Sequence, residues 1–317
     1  MEPGQRSWCW GWCGIGALAA LAIALASGRL RSAELAPPGP VVLWVADRDA
    51  GRLYGLDEDL ILAARLPLAA PLDLARARDG RLYVLCAPGR LVELDARGAP
   101  QRELEVGTCL DLETQADCAL LVQQPGPEGP RRAAILAPDE APRTLLEAER
   151  LRCICGSLDS VLVGSDDGRV ERLALANGER LGSVVLGGAI VDLAPAAEAG
   201  GAFALDGAGR RLLRLAPDLA LHWQADLPLE ARHLAPVGGE ERVWLADCAA
   251  PRVLRYGPGG ALELDCPNLP LRGLDRALAW SGGGVLLVAP GALLQLDRQG
   301  HQAPGQGGFN FLVALAR

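Results

Sequence analysis

The chain has 317 residues and a net charge of −8, and all 31 of its basic residues are arginine. An acidic balance without any block of like charge excludes a nucleic-acid partner, because phosphate binding relies on a positive surface. Half of the residues are hydrophobic, yet few stretches hold a helical period, so the expectation is an all-β fold large enough to bury roughly three quarters of its unfolded surface.

The first segment reads as an address. Ser7 to Gly28 carries no charged residue, with Arg6 before it and Arg29 and Arg31 after it. Gly14 to Ala26 has the form of a hydrophobic signal core, and Ala24-Leu25-Ala26 offers a small-residue cleavage site. The stretch also approaches the roughly 20 residues that span a bilayer. Residues 1–28 are therefore expected to be a signal peptide or an N-terminal membrane anchor, followed by a Pro-rich linker over 29–40. Both readings export the remainder to the periplasm or the cell exterior, or tether it to a membrane outside the cytoplasm. Membrane contact then runs only through residues 7–28, if they are uncleaved.

From residue 41 onward the chain repeats itself. Leu56, Leu94, Leu136, Leu173, Leu215, Tyr256 and Leu296 each end a short apolar run, at intervals of 37 to 42 residues. Around each anchor the pattern is strand, Gly or Asp turn, strand, Gly turn, strand. A period near 40 with several strands per unit predicts propeller blades. Blade 1 opens directly into its second strand at Val41 to Val45, and Phe309 to Arg317 is a strand to spare at the far end. Pairing the two closes the ring and removes exposed sheet edges. The fold class is thus all-β, a seven-bladed β-propeller of four-stranded blades over residues 41–317, with the C-terminal strand completing blade 1. Six blades is the alternative, with the irregular third unit degenerate; its run Pro125-Gly126-Pro127-Glu128-Gly129-Pro130 is expected to be a lengthened surface loop.

Within the units, Trp44, Trp244 and Tyr83 recur at one strand position and are expected to pack between blades. Seven cysteines follow the leader: Cys86, Cys109, Cys118, Cys153, Cys155, Cys248 and Cys266. The odd number leaves at least one unpaired and the sequence does not fix any connectivity, while Cys153 and Cys155 lack the spacing of zinc pairs and read as small buried residues. The turns Ala46 to Gly51, Gly164 to Gly168 and Cys248 to Arg252 are candidate contact loops or simply tight hairpins.

One constellation carries a functional expectation. Aligning the innermost strands brings Asp73, Asp111, Cys153, Asp192, His233, Asp275 and, in the closing strand, Asn310 to nearly one position. Innermost strands line the central channel, so this recurrence predicts a ring near one mouth. Asp73, Asp111, Asp192 and Asp275 would be metal ligands, and oxygen donors of that kind suit Ca²⁺ or Mg²⁺. His233, Asn310 and Cys153 would line the ligand channel beside them. The competing reading is that each Asp accepts backbone N–H groups of the neighbouring blade.

Several units resemble known repeats. Leu43-Trp44-Val45-Ala46-Asp47 with Gly51-Arg52-Leu53, and Val243-Trp244-Leu245-Ala246-Asp247 with Arg252-Val253, resemble NHL repeats, and Val161 to Val170 followed by Ala176-Asn177-Gly178 is similar to PQQ-type repeats. A bound quinone is not expected, because the docking tryptophans and vicinal cysteines of such enzymes are missing. Leu278-Ala279-Trp280-Ser281-Gly282-Gly283 resembles a segment of gluconolactonase-type propellers, although Arg276 stands where that segment has its metal-binding Asn. The latter resemblance implies a divalent-metal-dependent hydrolase of lactones or esters, in which the aspartates hold the metal and activate water. The first reading is instead a monomeric, non-catalytic scaffold that binds a protein, peptide or glycan through loops on one face. No Gly-x-Ser-x-Gly elbow or Walker-type loop is present to support other chemistry.

Overall fold

The computed structural model describes residues 40–317 except 127, 128, 198, 199, 208, 209, 229, 248, 272, 273, 275, 290, 291, 304, 305, 308–311 and 317. Val41–Arg317 forms one unit of seven antiparallel four-stranded sheets. Each sheet is a blade in which consecutive strands run from the innermost to the outermost. Blade 1 is the exception, because its innermost strand, Leu312–Ala316, comes from the C-terminus and pairs with Leu43–Asp47. The ring is therefore closed by hydrogen bonding between the two ends of the unit.

Blade 3 is complete. Its strands Thr108–Gln115, Cys118–Gln124, Arg131–Leu136 and Arg143–Ala148 form one ladder, so the Pro-rich run lies in the link between its second and third strands and the blade count is seven. Among the described residues no helix is long and apolar enough to cross a membrane.

The period-2 pattern of the strands explains how the core is divided. Outermost strands alternate exposed with half-buried residues, as in Leu62–Pro67 and Arg180–Val185, whereas second strands such as Leu43–Asp47 and Leu82–Cys86 are buried throughout. The second strands have sheet neighbours on both sides and blades above and below, so both of their faces are apolar. Seven apolar clusters result, one at each junction between consecutive blades. Trp44 fills the blade 1–2 junction, Tyr83 the blade 2–3 junction and Trp244 the blade 6–7 junction, each essentially inaccessible to solvent. Tyr83 and Trp244 also donate their polar hydrogens, to the Asp117 and Gly283 carbonyls, as buried amphipathic rings must.

The six described cysteines are free thiols; Cys86, Cys153 and Cys155 are buried and the other three are half-buried. Cys248 lies outside the described residues. The candidate loops Ala46 to Gly51 and Gly164 to Gly168 are tight hairpins between second and third strands. In the first, the fully buried Asp47 accepts the Ala50 N–H at 2.9 Å; Asp247 accepts the Ala249 N–H at 2.8 Å in the corresponding turn of blade 6. The Asp that ends each "V-A-D" or "L-A-D" strand is thus a turn staple.

Candidate functional site

Each of the six innermost strands from blade 2 to blade 7 enters from the outermost strand of the preceding blade. Its first residues therefore lie on the face that also carries the hairpins between second and third strands, here termed the upper face. In blades 2 to 6 this entry is irregular: the ladder slips between Pro71 and Asp73, Cys109 and Asp111, Leu151 and Cys153, Ile190 and Asp192, and Ala231 and Leu234. One extra residue is accommodated each time, which bends the strand and re-aims the side chains that follow. After the slip, Asp73, Asp111, Cys153 and Asp192 pair with Leu85, Val122, Gly164 and Leu205, all equivalent positions of the second strand. These four residues share one rung, and His233 sits within the irregular step of blade 6.

In blade 7 the rung is occupied by Arg276, paired with Val288, and Asp275 lies outside the described residues. In the closing strand the equivalent residue is Ala314, opposite Ala46. Asn310 also lies outside the described residues. Cys153 is turned away from the lumen. It is 2 % exposed, packs in the cluster between blades 4 and 5, and its Sγ approaches the Ile190 carbonyl at 3.7 Å.

The remaining polar groups meet at the channel mouth. A cavity of about 280 Å³ is lined by Asp73, Asp111, Asp192, His233 and Arg276, with Arg131, Arg152 and Arg232 around it. Asp111, Asp192, His233 and Arg276 also line a second chamber of about 350 Å³ further along the lumen. The guanidinium of Arg276 grips Asp73 with two hydrogen bonds, Nη1 to Oδ1 at 2.7 Å and Nη2 to Oδ2 at 3.3 Å. Asp111 Oδ2 accepts the N–H of Ile154 in blade 4 at 2.8 Å, and Asp192 Oδ2 accepts the N–H of Leu234 in blade 6 at 2.7 Å. Asp73 and Asp192 also accept the N–H of the residue that follows each, Leu74 and Leu193. These carboxylates therefore satisfy backbone donors that the irregular strand entries leave outside the ladder.

The electrostatics follow from this crowding. Burial, reinforced by the Asp192 charge, pushes Asp111 up to about 8, and burial raises Asp192 to about 7. Burial and the Arg276 charge depress His233 to about 3, which keeps its imidazole neutral 3.9 Å from Asp192. Arg276 is held cationic by Asp73. The sequence marked Arg276 only as a departure from the gluconolactonase-type segment and did not show its pairing with Asp73; it missed Glu113, which lies two residues after Asp111, on the same side of the strand, and lines the inner chamber.

Asp275, the fourth expected ligand of a Ca²⁺ or Mg²⁺ ion, lies outside the described residues. Such ions need several oxygens converging at 2.0–2.6 Å. Among the described residues no three His, Cys, Asp or Glu side chains are placed to hold one ion, and a guanidinium already occupies Asp73.

No family model matches the chain, and no curated protein matches it. Solved structures do. A functionally unknown protein from Desulfotomaculum acetoxidans DSM 771 superimposes with a TM-score of 0.70 at 14% identity, covering 86% of this chain and 98% of its own. Apo AztD from Citrobacter koseri gives 0.65 at 13% identity over 86% and 96% of the two chains. BamB from Moraxella catarrhalis gives 0.58 at 16% identity over 86% and 84%. The likeness is one of fold. At such identities the propeller fold is what is shared, and the channel chemistry has to be read from this chain's own residues.

Proposed function

We propose that the chain is a non-catalytic binding propeller, exported or membrane-anchored through residues 7–28, that engages a protein, peptide or glycan through loops of its upper face. The observation that carries this reading is the Arg276–Asp73 pair. It places a fixed internal cation in the ring where a hydrolase would need a metal or an activated water. Asp111 and Asp192 are in turn bonded to the backbone of the next blades. The ring thereby serves the joints between blades and leaves recognition to the loops. The link between Gln124 and Arg131, longer than the other links between second and third strands, starts and ends on that same face, where rigid strands present variable links.

The test replaces residues 125–130 with an Asn-Gly turn and compares cross-linked partners of the variant with those of the wild type. The account expects an unchanged melting temperature and loss of a partner that the wild type captures. Lactone or ester hydrolysis that requires Ca²⁺ or Mg²⁺ and disappears in Asp111→Asn and Asp192→Asn would overturn it in favour of the hydrolase.

A further inference from the structure

Blade 1 is joined to its innermost strand differently from the other six. In blades 2 to 7 the innermost and second strands are consecutive in the chain and share a hairpin, whereas Leu312–Ala316 meets Leu43–Asp47 through hydrogen bonds alone. That ladder is short and slips between Ala46 and Asp47. The innermost strands of blade 2, Pro71–Arg76, and of blade 7, Arg276–Ala279, flank the closing strand on either side.

The ion pair of the ring spans this closure. Asp111 of blade 3 and Asp192 of blade 5 each reach the backbone of the next blade, at Ile154 and Leu234. Asp73 of blade 2 departs from that pattern. Its carboxylate reaches two blades back, past blade 1, and accepts two hydrogen bonds from Arg276 of blade 7. The pair therefore ties together the two strands between which the closing strand sits. On the rung that the bridge spans, the closing strand carries Ala314.

The position of the bridge bears on how the ring can open. Leu312–Ala316 can leave blade 1 by moving into the lumen, or after blades 7 and 2 have parted. Arg276 and Asp73 both line the cavity at the channel mouth, so the bridge stands in the first route at its upper end. The second route pulls its two hydrogen bonds apart. With side chains only 23 % and 15 % exposed, both charges lose a partner that water replaces poorly. Opening would also bare the edge of Leu43–Asp47.

We propose that the Arg276–Asp73 bridge is a latch on the closure of the ring, which keeps the C-terminal strand in blade 1 and sets how readily the ring opens there. This goes beyond the loop-based reading and stands without it, because it concerns the opening of the ring and not what its loops bind.

Native-state hydrogen exchange of the full chain in low urea, read by mass spectrometry, tests the proposal. In Arg276→Ala the amides of Leu312–Ala316 and Leu43–Asp47 are expected to exchange at least tenfold faster than in the wild type. They should do so through a local opening that depends little on urea, whereas Ser160–Ser165 in blade 4 exchanges only with global unfolding. Arg131→Ala, which breaks the pair with Asp166 at the same mouth, is expected to leave the closing strand within twofold of the wild type. Asp73→Asn, which keeps an acceptor for the Leu74 N–H, decides the matter if Arg276→Ala does not fold, and at least a threefold acceleration at the closure is expected. Acceleration below twofold at the closure in the folded variant would overturn the proposal. So would exchange of the closing strand at the rate and urea dependence of Ser160–Ser165, since the pair would then support the fold as a whole and not its closure.

Discussion

Arg276 is the residue on which the reading of the channel turns. Its side chain and that of Asp73 are both largely sheltered, and truncating one leaves the other as an uncompensated charge. Arg276→Ala is therefore expected to cost about 2–3 kcal/mol, below the figure for a fully buried pair because some water reaches both groups. Chemical denaturation measures it, and Arg276→Ala combined with Asp73→Ala should recover part of the loss, since the orphaned charge is then gone. Asp111 and Asp192 make a separate prediction. Their folded values of about 8 and about 7 lie above the roughly 4 of an unfolded Asp, so the folded state holds more protons through that window. Stability contributed by the pair should be full at low pH and decline as pH rises from about 4 to about 8. Denaturation midpoints at pH 5 and pH 8 check this, and Asp111→Asn with Asp192→Asn should flatten the difference. At this scale the sequence made the aspartates visible because they recur between apolar neighbours, as in Leu72-Asp73-Leu74 and Val191-Asp192-Leu193. It also offered backbone N–H groups of the neighbouring blade as their partners, which Asp111 and Asp192 find, but not Arg276 as the partner of Asp73. The Asp73 partner is 203 residues away, and backbone donors carry no residue identity.

At the scale of the element, the irregular strand entry decides which residue occupies the rung. Counting from sequence alone placed blade 7 at Asp275 and the closing strand at Asn310, where the ladder gives Arg276, one residue on, and Ala314, four residues on. Strand boundaries and most hairpins were legible, since the V-A-D and Gly-Arg turns fall between period-2 runs. A bulge is not legible in the same way, because it changes neither composition nor periodicity outside one step. Glycines at the blade links make a testable element-scale case. Gly168 has φ +81° in the hairpin of blade 4, and a Cβ added there would lie 2.4 Å from the Gly188 carbonyl in the link to blade 5. Backbone cannot move away cheaply at such a junction, so Gly168→Ala is expected to lower stability by about 2–4 kcal/mol. A melting temperature within a degree of wild type would refute that close approach.

Across the whole molecule, seven junction clusters and one closing strand make the fold a ring whose parts depend on each other. The repeat of anchors from Leu56 to Leu296 announced this architecture, because duplicated units preserve the spacing of the residues that face their neighbours. Deleting residues 306–317 uncovers the edge of Leu43–Asp47 and removes the innermost strand of blade 1. The truncated chain is expected to lose cooperative unfolding and to associate through the open edge, as size-exclusion chromatography and a thermal melt would record. The channel differs from the frame in that its chemistry depends on a single residue, Arg276, which the repeat does not predict. The central claim is that the acidic ring belongs to the protein's own groups and not to a divalent metal. Titration calorimetry of the full chain with Ca²⁺ and with Mg²⁺ tests it most directly. The account predicts no stoichiometric binding of either ion, whereas one ion per chain, lost in both Asp111→Asn and Asp192→Asn, would contradict it.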